Sequence, residues 1–232
     1  MKLAIMQPYF LPYIGYFQLI AAADVFVVYD NIKYTKKGWI NRNRILRDGR
    51  ETQFSLPLKG DSDSAWIWER QLALDFNRSK LLNQLSNAYR RAPYFAKVFP
   101  LLEEIVLNES SDLFAYLYNS IVSVCSFLDL DTQIRLSSKV EADHQLKGQD
   151  RVLSLCRVLG ASTYINASGG VELYDRESFQ AQGVALTFLR SKAVEYPQLS
   201  ASFVPFLSIV DVLMCNSATQ VKTMIRDSYE LF

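Results

Sequence analysis

Polar side chains with hydrogen-bonding and acid–base capacity follow two short apolar runs close to the N-terminus. The first run ends at Met6 and the second ends at Tyr29. We interpret these runs as neighbouring strands of a parallel sheet, joined by a helix, whose carboxyl ends meet at one edge. The polar and aromatic residues expected at that edge are Gln7, Tyr9, Tyr13, Tyr16 and Asp30. The sequence therefore predicts a ligand site there, with Asp30 as a candidate proton acceptor.

A second group of candidates is cationic and lies between residues 33 and 44. Its positive side chains, aromatic rings and amides are Lys33, Lys36, Lys37, Arg42, Arg44, Tyr34, Trp39, Asn41 and Asn43. Cations beside flat rings suit a phosphate or pyrophosphate next to a planar group. The same composition is typical of a solvated surface loop, so both interpretations stay open. The candidate ligand contacts in this segment are Lys33, Tyr34, Asn41, Arg42 and Asn43.

Three further features of the sequence are candidates for binding or catalysis. Asp211 interrupts an apolar stretch, and a carboxylate in such a place must be paired or must face a site. His144 is the single histidine and follows Asp143, so it is either a candidate general base or an ordinary surface residue. Gly169 and Gly170 follow a predicted strand. The backbone amides of such a turn can bind an anion, although Gly-Gly turns are also common in ordinary loops.

Alternating strands and helices predict one α/β domain over residues 1–232, with a parallel-sheet core and a mainly helical segment at about 77–128. The predicted strands cover residues 3–6, 25–29, 66–74, 133–137, 162–166 and 184–189, with a hairpin at 44–58. The predicted helices cover residues 14–23, 77–92, 94–107, 112–128, 150–159, 179–182, 208–215 and 219–229. These elements would position the candidate residues at strand ends and in the loops beside them.

Composition excludes several classes of protein. Half of the 232 residues are hydrophobic, which is enough for a packed core and argues against disorder. A net charge of +1 argues against a general electrostatic attraction to nucleic acid or membranes. No apolar run approaches the roughly 18 residues that span a bilayer, and Pro8 breaks the first run too early for a signal peptide. The three scattered cysteines lack metal spacing, so we expect a cytoplasmic protein with reduced thiols and no metal site.

The loop Phe10–Tyr16 has the spacing of the His-x-Gly-His signature of nucleotidylyltransferases, and it lies at the same place between a strand and a helix. Tyr13 and Tyr16 stand where that signature has histidines. Tyrosine donates a hydrogen bond but carries no positive charge at neutral pH, so nucleotidyl-transfer chemistry does not follow. Two interpretations stay open. The fold is distantly nucleotidylyltransferase-like, or Pro12 and Gly15 only shape a loop in which the tyrosines pack.

Several longer segments carry a resemblance to a known family, in the same order along the chain. They are Met6–Phe17, Asp24–Asp30, Tyr34, Trp39–Ile45, Leu159–Ile165, Gly169–Gly170, Tyr196–Gln198 and Leu207–Leu213. On these segments the sequence resembles the WbqC-like family over nearly its whole length. Two positions depart from the family pattern. Lys33 stands where a glutamine is frequent, and Ser217 stands where the family tends to have glycine.

The WbqC-like resemblance implies a role in the biosynthesis of bacterial surface polysaccharide, or O-antigen. Together with the candidate site it predicts a transferase that acylates or aminoacylates a nucleotide-linked amino sugar. The segment Lys33–Arg44 would hold the diphosphate, and Gln7 with the first-loop tyrosines would hold the sugar or the acyl donor. Gln198 is a further candidate substrate contact. No cofactor is indicated, and because no catalytic motif is recognisable, a non-catalytic protein that binds nucleotide sugars or assembles the pathway is the alternative.

The candidates together predict a single cleft at the carboxyl ends of the strands. We expect it to contain Gln7, Asp30, Asn41, Arg42 and Asp211. Asp30 or Asp211 would accept a proton during transfer, and His144 is the third candidate. Binding of nucleic acid through residues 33–50 is disfavoured by the neutral net charge.

Overall fold

The computed structural model describes residues 1–36, 38–60 and 65–232. The strands are β1 (Lys2–Met6), β2 (Val25–Val28), β3 (Arg42–Arg47), β4 (Arg50–Ser55), β5 (Gln133–Leu136), β6 (Thr163–Ala167), β7 (Ala185–Ser191) and β8 (Tyr229–Leu231). The α-helices are α1 (Ile14–Ala22), α2 (Arg78–Tyr89), α3 (Phe95–Leu107), α4 (Leu113–Phe127), α5 (Gly148–Leu159), α6 (Arg176–Ala181), α7 (Ile209–Cys215) and α8 (Ala218–Asp227). The α/β class that the sequence predicts is confirmed.

Six strands form one sheet in the order β5-β2-β1-β6-β7-β8, and the strands from β5 to β7 run parallel. Strand β8 pairs antiparallel with β7 at the edge. The register pairs Met6 with Val28, and Val28 with Leu136, so β1, β2 and β5 end at the same edge of the sheet. Residues that follow these strands are therefore neighbours in space.

Helices cover both faces of the sheet, which explains why β2 is apolar throughout and β1 is apolar after Lys2. Ala4 and Phe26 pack on one face with residues of α1, and Leu3 and Val27 pack on the other face with residues of α5 and α6. The crossover helices α1 and α6 thus lie on opposite faces. The strand order reverses direction between β1 and β6, and such a switch point leaves a crevice at the carboxyl ends of the strands.

The helical middle segment predicted from the sequence consists of α2, α3 and α4, which pack on the α1 side of the sheet. Strands β3 and β4 form a separate antiparallel hairpin whose turn contains Asp48 and Gly49, both with positive φ. In the part of the chain that is described, no helix is long and apolar enough to cross a membrane.

The strand predicted at residues 66–74 is wrong. Residues Ile67–Glu69 form one 3-10 turn, and the flanking residues make isolated bridges to three different segments. Trp66 pairs with Lys33, Gln71 pairs with Asp112, and Leu72 pairs with Leu58. The alternation of apolar and polar residues therefore reflects contacts with several partners and not the face of a continuous strand.

Candidate functional site

A cleft of about 480 Å³ opens at the carboxyl ends of β1, β2 and β6, at the switch point of the sheet. We call it the sheet-edge cleft. Its lining consists of Ile5, Met6, Gln7, Tyr9, Tyr13, Gly15, Tyr16, Leu19, Tyr29, Ile32, Trp39, Tyr164, Asn166, Ala167, Ser168, Gly169, Gly170, Leu173 and Tyr174. Ligands of open α/β sheets bind at this place, because loops from adjacent strands diverge there.

Six of the residues proposed from the sequence as ligand contacts line the sheet-edge cleft. They are Gln7, Tyr9, Tyr13, Tyr16, Gly169 and Gly170. The Gln7 side chain makes no hydrogen bond to the described residues, so its amide can serve a ligand. Tyr16 is buried instead, and its hydroxyl donates to the carbonyl oxygen of Gln7 at 3.0 Å. Tyr16 therefore fixes the backbone from which Gln7 extends.

The tyrosines of the sheet-edge cleft are neutral phenols. Burial raises the pKa of Tyr9 and of Tyr13, and a Coulombic effect of Tyr13 adds to the shift at Tyr9. Burial also raises the pKa of Tyr29 to about 12, although the Arg151 guanidinium opposes the shift. At neutral pH these hydroxyls are thus hydrogen-bond donors and acceptors, and they do not act as phenolate bases.

Asn166 contributes a second free amide to the cleft. Its Oδ1 accepts a hydrogen bond from the backbone of Ala167 at 2.9 Å, which leaves Nδ2 as a donor without a partner among the described residues. Gly170 lies against this amide, and a Cβ at Gly170 would overlap Asn166 Nδ2. Gly170 is therefore required by a close approach, whereas a Cβ at Gly169 would meet no atom within 4 Å.

Replacing Gly170 by alanine should weaken ligand binding in the sheet-edge cleft by about 1–3 kcal/mol, because the Asn166 amide must move out of its position. Gly169→Ala is the matched control, since its Cβ meets open space. Calorimetric titration of both variants with the same ligand measures the difference. Equal affinities for the two variants would show that the Asn166 amide does not contact the ligand.

The sheet-edge cleft has no charged lining among the residues that the structure describes. Its polar groups include the amides of Gln7 and Asn166, tyrosine hydroxyls, the Ser168 hydroxyl and the backbone of the Gly169–Gly170 turn. The described ranges also contain no group of three or more histidine, cysteine or acidic residues that could hold a metal ion. This combination of neutral donors and aromatic surface is suited to a ligand with many hydroxyls, such as a sugar.

Positive charge lies next to the sheet-edge cleft, around Trp39. The Arg42 guanidinium carbon lies 5.7 Å from the centroid of the Trp39 ring, and that of Arg44 lies 5.1 Å from it. Arg42 Nε donates to the carbonyl oxygen of Gly38 at 2.8 Å, and Arg44 pairs with Glu51 at 3.0 Å. The cationic segment predicted from the sequence therefore reaches the cleft mainly through Trp39 and its two arginines.

The other members of that segment have different placements. Lys33 is exposed and its backbone bridges to Trp66, and Lys37 lies outside the described residues. The Tyr34 hydroxyl donates to Asn41 Oδ1 at 2.7 Å, and Asn41 Nδ2 donates to the carbonyl oxygen of Leu56 at 2.7 Å. Tyr34 and Asn41 thus join two parts of the chain, which does not support their proposed role as ligand contacts.

Asn43 holds the first loop, because its side-chain amide binds the protein's own backbone. Its Nδ2 donates to the carbonyl oxygens of Phe10 at 3.3 Å and Leu11 at 2.7 Å, while Oδ1 accepts from the backbone of Arg44 at 2.9 Å. Leu11 has a φ of 43°, in the left-handed region that non-glycine residues rarely occupy. Ser208 Oγ also donates to the Leu11 carbonyl, at 2.7 Å. The two bonds keep the loop of Gln7, Tyr9 and Tyr13 in a strained conformation.

Asp30 follows β2 as predicted, but its carboxylate binds the protein itself. It accepts hydrogen bonds from the backbone amide of Ser138, at 2.9 Å, and from the Ser138 hydroxyl. Ser138 belongs to the 3-10 turn that follows β5. Asp30 is buried and is not part of the cleft lining, so this geometry supports a role in holding the sheet edge together and not one as a proton acceptor.

His144 is held by hydrogen bonds on both ring nitrogens. Nδ1 lies 3.1 Å from the side-chain nitrogen of Asn31 and 3.2 Å from an Arg151 nitrogen, and Nε2 lies 2.9 Å from the carbonyl oxygen of Val140. Because both neighbours of Nδ1 are donors, the pattern makes Nδ1 the acceptor and Nε2 the donor to the carbonyl oxygen of Val140. His144 is outside the cleft lining and has no free nitrogen for a substrate.

Asp211 and Gln198 form a separate buried cluster. Asp211 Oδ1 accepts from the Tyr89 hydroxyl, and Oδ2 accepts from the Tyr196 hydroxyl and from Gln198 Nε2, each at 2.8 Å. Burial raises the pKa of Asp211, and the three hydrogen bonds oppose this shift. The cluster joins α2 and α7 to the segment before α7. Asp211 therefore satisfies its predicted need for partners inside the protein.

The prediction that one cleft contains all five residues is therefore corrected. Of its five proposed members, Gln7 belongs to the lining of the sheet-edge cleft, and the rest are bound elsewhere or stand beside it. Asp211 and its partners lie in a cluster that shares no residue with the cleft.

A second cavity adjoins the sheet-edge cleft and has a volume of about 360 Å³. We call it the aromatic pocket. It is lined by Tyr9, Pro12, Tyr13, Trp39, Asn43, Arg44 and Phe206. Tyr9, Tyr13 and Trp39 line both cavities, so an elongated ligand can occupy them together.

Comparison with known proteins places the chain in a family. Residues 7–223 match the WbqC-like protein family. The chain belongs to the WbqC-like family. This WbqC-like protein is similar to the uncharacterized protein Rv1507c of Mycobacterium tuberculosis, with 29% identity over 227 residues that cover 91% of this chain and 92% of the relative. No solved structure matches the chain, so the suggested likeness to nucleotidylyltransferases stays a prediction.

Sequence reasoning missed several residues of this WbqC-like site. Asn166 is the second-last residue of β6 and lies three positions before Gly169, so the strand-end rule that selected Gln7 would also have found it. Tyr29 and Tyr174 gave no separate signal, because their meeting in the cleft depends on the packing of the loops after β2 and β6. Phe206 lies in a segment without regular structure and gave no signal at all.

Proposed function

We propose that this protein is a transferase of bacterial surface-polysaccharide biosynthesis that acylates or aminoacylates a nucleotide-linked amino sugar. The observation that supports the proposal most directly is the pairing of a neutral, aromatic cleft with two arginines at its border. A nucleotide sugar has the same division, because its sugar is neutral and its diphosphate is anionic. Residues 7–223 match the WbqC-like family, and the resemblance to that family implies the link to surface polysaccharide.

The sugar belongs in the sheet-edge cleft. Gln7 and Asn166 offer amide groups, and the tyrosine hydroxyls both donate and accept, as recognition of sugar hydroxyls requires. Aromatic rings supply flat apolar surface for the carbon face of the sugar. An acyl-accepting amine on the sugar would then be held by neutral groups, which do not favour its protonated form.

The diphosphate belongs beside Trp39, next to Arg42. Planar guanidinium groups bind phosphate oxygens through two parallel hydrogen bonds and stay charged at any physiological pH. Arg42 is half-buried, and its Nε donates to the carbonyl oxygen of Gly38. Because the side chain is already restrained, binding a phosphate would cost little of its conformational entropy. An anion in this position would link the aromatic pocket with the sheet-edge cleft.

Transfer would proceed by attack of the sugar amine on the carbonyl carbon of an activated acyl donor. The new carbon–nitrogen bond forms, the bond to the leaving group breaks, and the amine proton passes to water. Phenol and amide donors of the cleft would stabilise the carbonyl oxygen as it gains negative charge. Since no carboxylate or imidazole lines the cleft among the described residues, the rate would come from orientation and hydrogen bonding.

The same lack of a base among the described lining residues favours a second function, a non-catalytic protein that binds nucleotide sugars for a polysaccharide pathway. For either function we propose a cytoplasmic location, which is supported by three buried cysteines in the thiol form.

Calorimetry and product analysis separate the two functions. The protein is titrated with UDP, UDP-glucose and a UDP-linked amino sugar, and mixtures with an acyl thioester are examined by mass spectrometry. Binding with an acylated product supports the transferase, and binding without any product supports the non-catalytic alternative. If no nucleotide sugar binds more tightly than UDP, both functions are contradicted.

Arg42→Ala should weaken nucleotide-sugar binding by about 1–3 kcal/mol, because a charge-assisted contact to the diphosphate is lost. Arg47→Ala is the matched control, since Arg47 lies on the same strand but is exposed and forms only a 3.8 Å surface pair with Asp48. Calorimetry on both folded variants gives the comparison. Equal losses, or no loss for Arg42→Ala, would contradict the phosphate role of Arg42.

A further inference from the structure

Two large aromatic side chains stand exposed at the aromatic pocket. Trp39 is 42% exposed and Phe206 is 64% exposed. Both line this cavity, together with Tyr9 and Tyr13. Exposed rings that converge on one concave site offer apolar surface that a ligand can bury, and in this respect they differ from scattered surface apolar residues.

Phe206 also has a backbone conformation that needs an explanation. Its φ is 57°, in the left-handed region that is unfavourable for a bulky side chain. The conformation is held by Arg44, which donates to the Phe206 carbonyl oxygen at 3.2 Å, and by an edge-to-face contact with Tyr13 at a centroid distance of 6.2 Å. Strain at an exposed ring that packs on a cleft residue indicates a functional position.

The aromatic side chains and Arg44 of the aromatic pocket favour some classes of small ligand over others. Arg44 lines the pocket beside its ion-pair partner Glu51, and a guanidinium in the wall disfavours the quaternary ammonium compounds that aromatic cages bind. Flat rings stack on aromatic side chains irrespective of their exact substituents, and an arginine can donate to ring carbonyl oxygens. The Asn43 amide is already bonded to Phe10 and Leu11, so the aromatic walls and Arg44 decide recognition.

We propose that the aromatic pocket binds the nucleobase of the nucleotide sugar, with Trp39 and Phe206 as its stacking surfaces. This inference rests on the proposed function, and it names the part of the substrate that the second cavity takes. The volume of about 360 Å³ accommodates a base with its ribose. Tyr9, Tyr13 and Trp39 form the wall that both cavities share, so the diphosphate would lie along this wall and the sugar would enter the sheet-edge cleft.

The test is a titration monitored by tryptophan fluorescence and calorimetry, with UMP, GMP, UDP-glucose and an acyl N-acetylcysteamine thioester as probes. Trp39→Ala and Phe206→Ala are each expected to weaken binding of the nucleotides by about ten- to one-hundred-fold. Trp68→Ala is the matched control, because Trp68 has the same 42% exposure and is absent from the lining of either cavity. The fluorescence change on nucleotide binding should persist in Trp68→Ala and disappear in Trp39→Ala.

The outcomes separate this inference from the proposed function. If UDP-glucose binds and both pocket variants bind it like the unmodified protein, the nucleobase site is contradicted and the proposed function stands. If UMP binds in a Trp39-dependent way but UDP-glucose binds no more tightly, the nucleobase site stands and the proposed function is contradicted. A Trp39-dependent signal with the thioester alone, or no binding by any nucleotide, would overturn the nucleobase site.

Discussion

Asp211→Ala should lower the free energy of unfolding by about 3–5 kcal/mol, the largest loss that we expect from one side chain. The carboxylate accepts three hydrogen bonds of 2.8 Å in a fully buried place. Its removal leaves the hydroxyls of Tyr89 and Tyr196 without an acceptor, while Gln198 Nε2 keeps its bond to the Val204 carbonyl oxygen at 3.0 Å. Each buried unpaired group costs about 1–3 kcal/mol. Urea unfolding measures the loss.

Asp150→Ala is the matched control for Asp211→Ala, because both residues lie in the first turn of a helix and Asp150 is exposed. It should cost no more than about 1 kcal/mol, the value of a charge near a helix N-terminus. Similar losses in the two variants would mean that the buried cluster contributes little to stability.

Asp211→Asn adds a test of pH dependence. Burial raises the pKa of Asp211 above its ordinary value of 3.8, so the folded protein binds this proton more tightly than the unfolded chain does. The contribution of this titration to stability is therefore complete at low pH and falls as the pH rises through the raised pKa. Urea unfolding of both proteins from pH 4 to 7 should show the stability of the unmodified protein falling relative to Asp211→Asn. The opposite trend would mean that the hydrogen bonds outweigh burial.

Asn43→Ala should have the second largest effect, a loss of about 2–4 kcal/mol in the free energy of unfolding together with weaker ligand binding. The amide bonds three backbone groups, and two of them belong to the first loop. Without it, the left-handed conformation of Leu11 has less support, and Tyr9 and Tyr13 lose their fixed positions. Urea unfolding and calorimetric titration with a nucleotide sugar measure the two effects.

Ser208→Ala and the double variant Asn43→Ala/Ser208→Ala test whether the two side chains act together. Ser208 and Asn43 donate to the same carbonyl oxygen of Leu11. Groups with a shared partner are expected to couple, so the two losses should not add. Asn83→Ala, on the exposed surface of α2, controls for loss of an asparagine. Additive losses, or unchanged ligand affinity in Asn43→Ala, would contradict the role of Asn43 in positioning the loop.

The regular framework could be predicted from the sequence because its signals are local. The apolar runs of β1 and β2 and the helical spacing of α2 to α4 are visible within windows of a few residues. The rule for strand ends then places Gln7 and the Gly169–Gly170 turn at one edge. Strand β8 could not be predicted, since a three-residue strand depends on its pairing with β7, about forty residues earlier in the chain.

The functions of polar residues were harder to predict, because an asparagine or aspartate can bind a ligand or its own protein. Asp30 and Asn43 both lie where a ligand contact was expected, but Asp30 binds Ser138, 108 residues away, and Asn43 binds Leu11, 32 residues away. Such partners are fixed by tertiary structure and leave no periodic signal. Asp211 shows the same limit, since its need for partners was evident but Tyr89 and Tyr196 were not.

The bond from Ser208 to Leu11 also bears on how the chain folds during synthesis. These residues are 197 positions apart, and β1 needs β6, about 160 residues later, as one of its two neighbours. The segment that carries Gln7, Tyr9 and Tyr13 leaves the ribosome before β6 and Ser208, but it acquires its final conformation only after they are available. Pairings over such distances are slow to form and leave the first strand exposed to association with other chains. Nascent chains that stop before residue 208 should therefore bind no ligand and depend on chaperones.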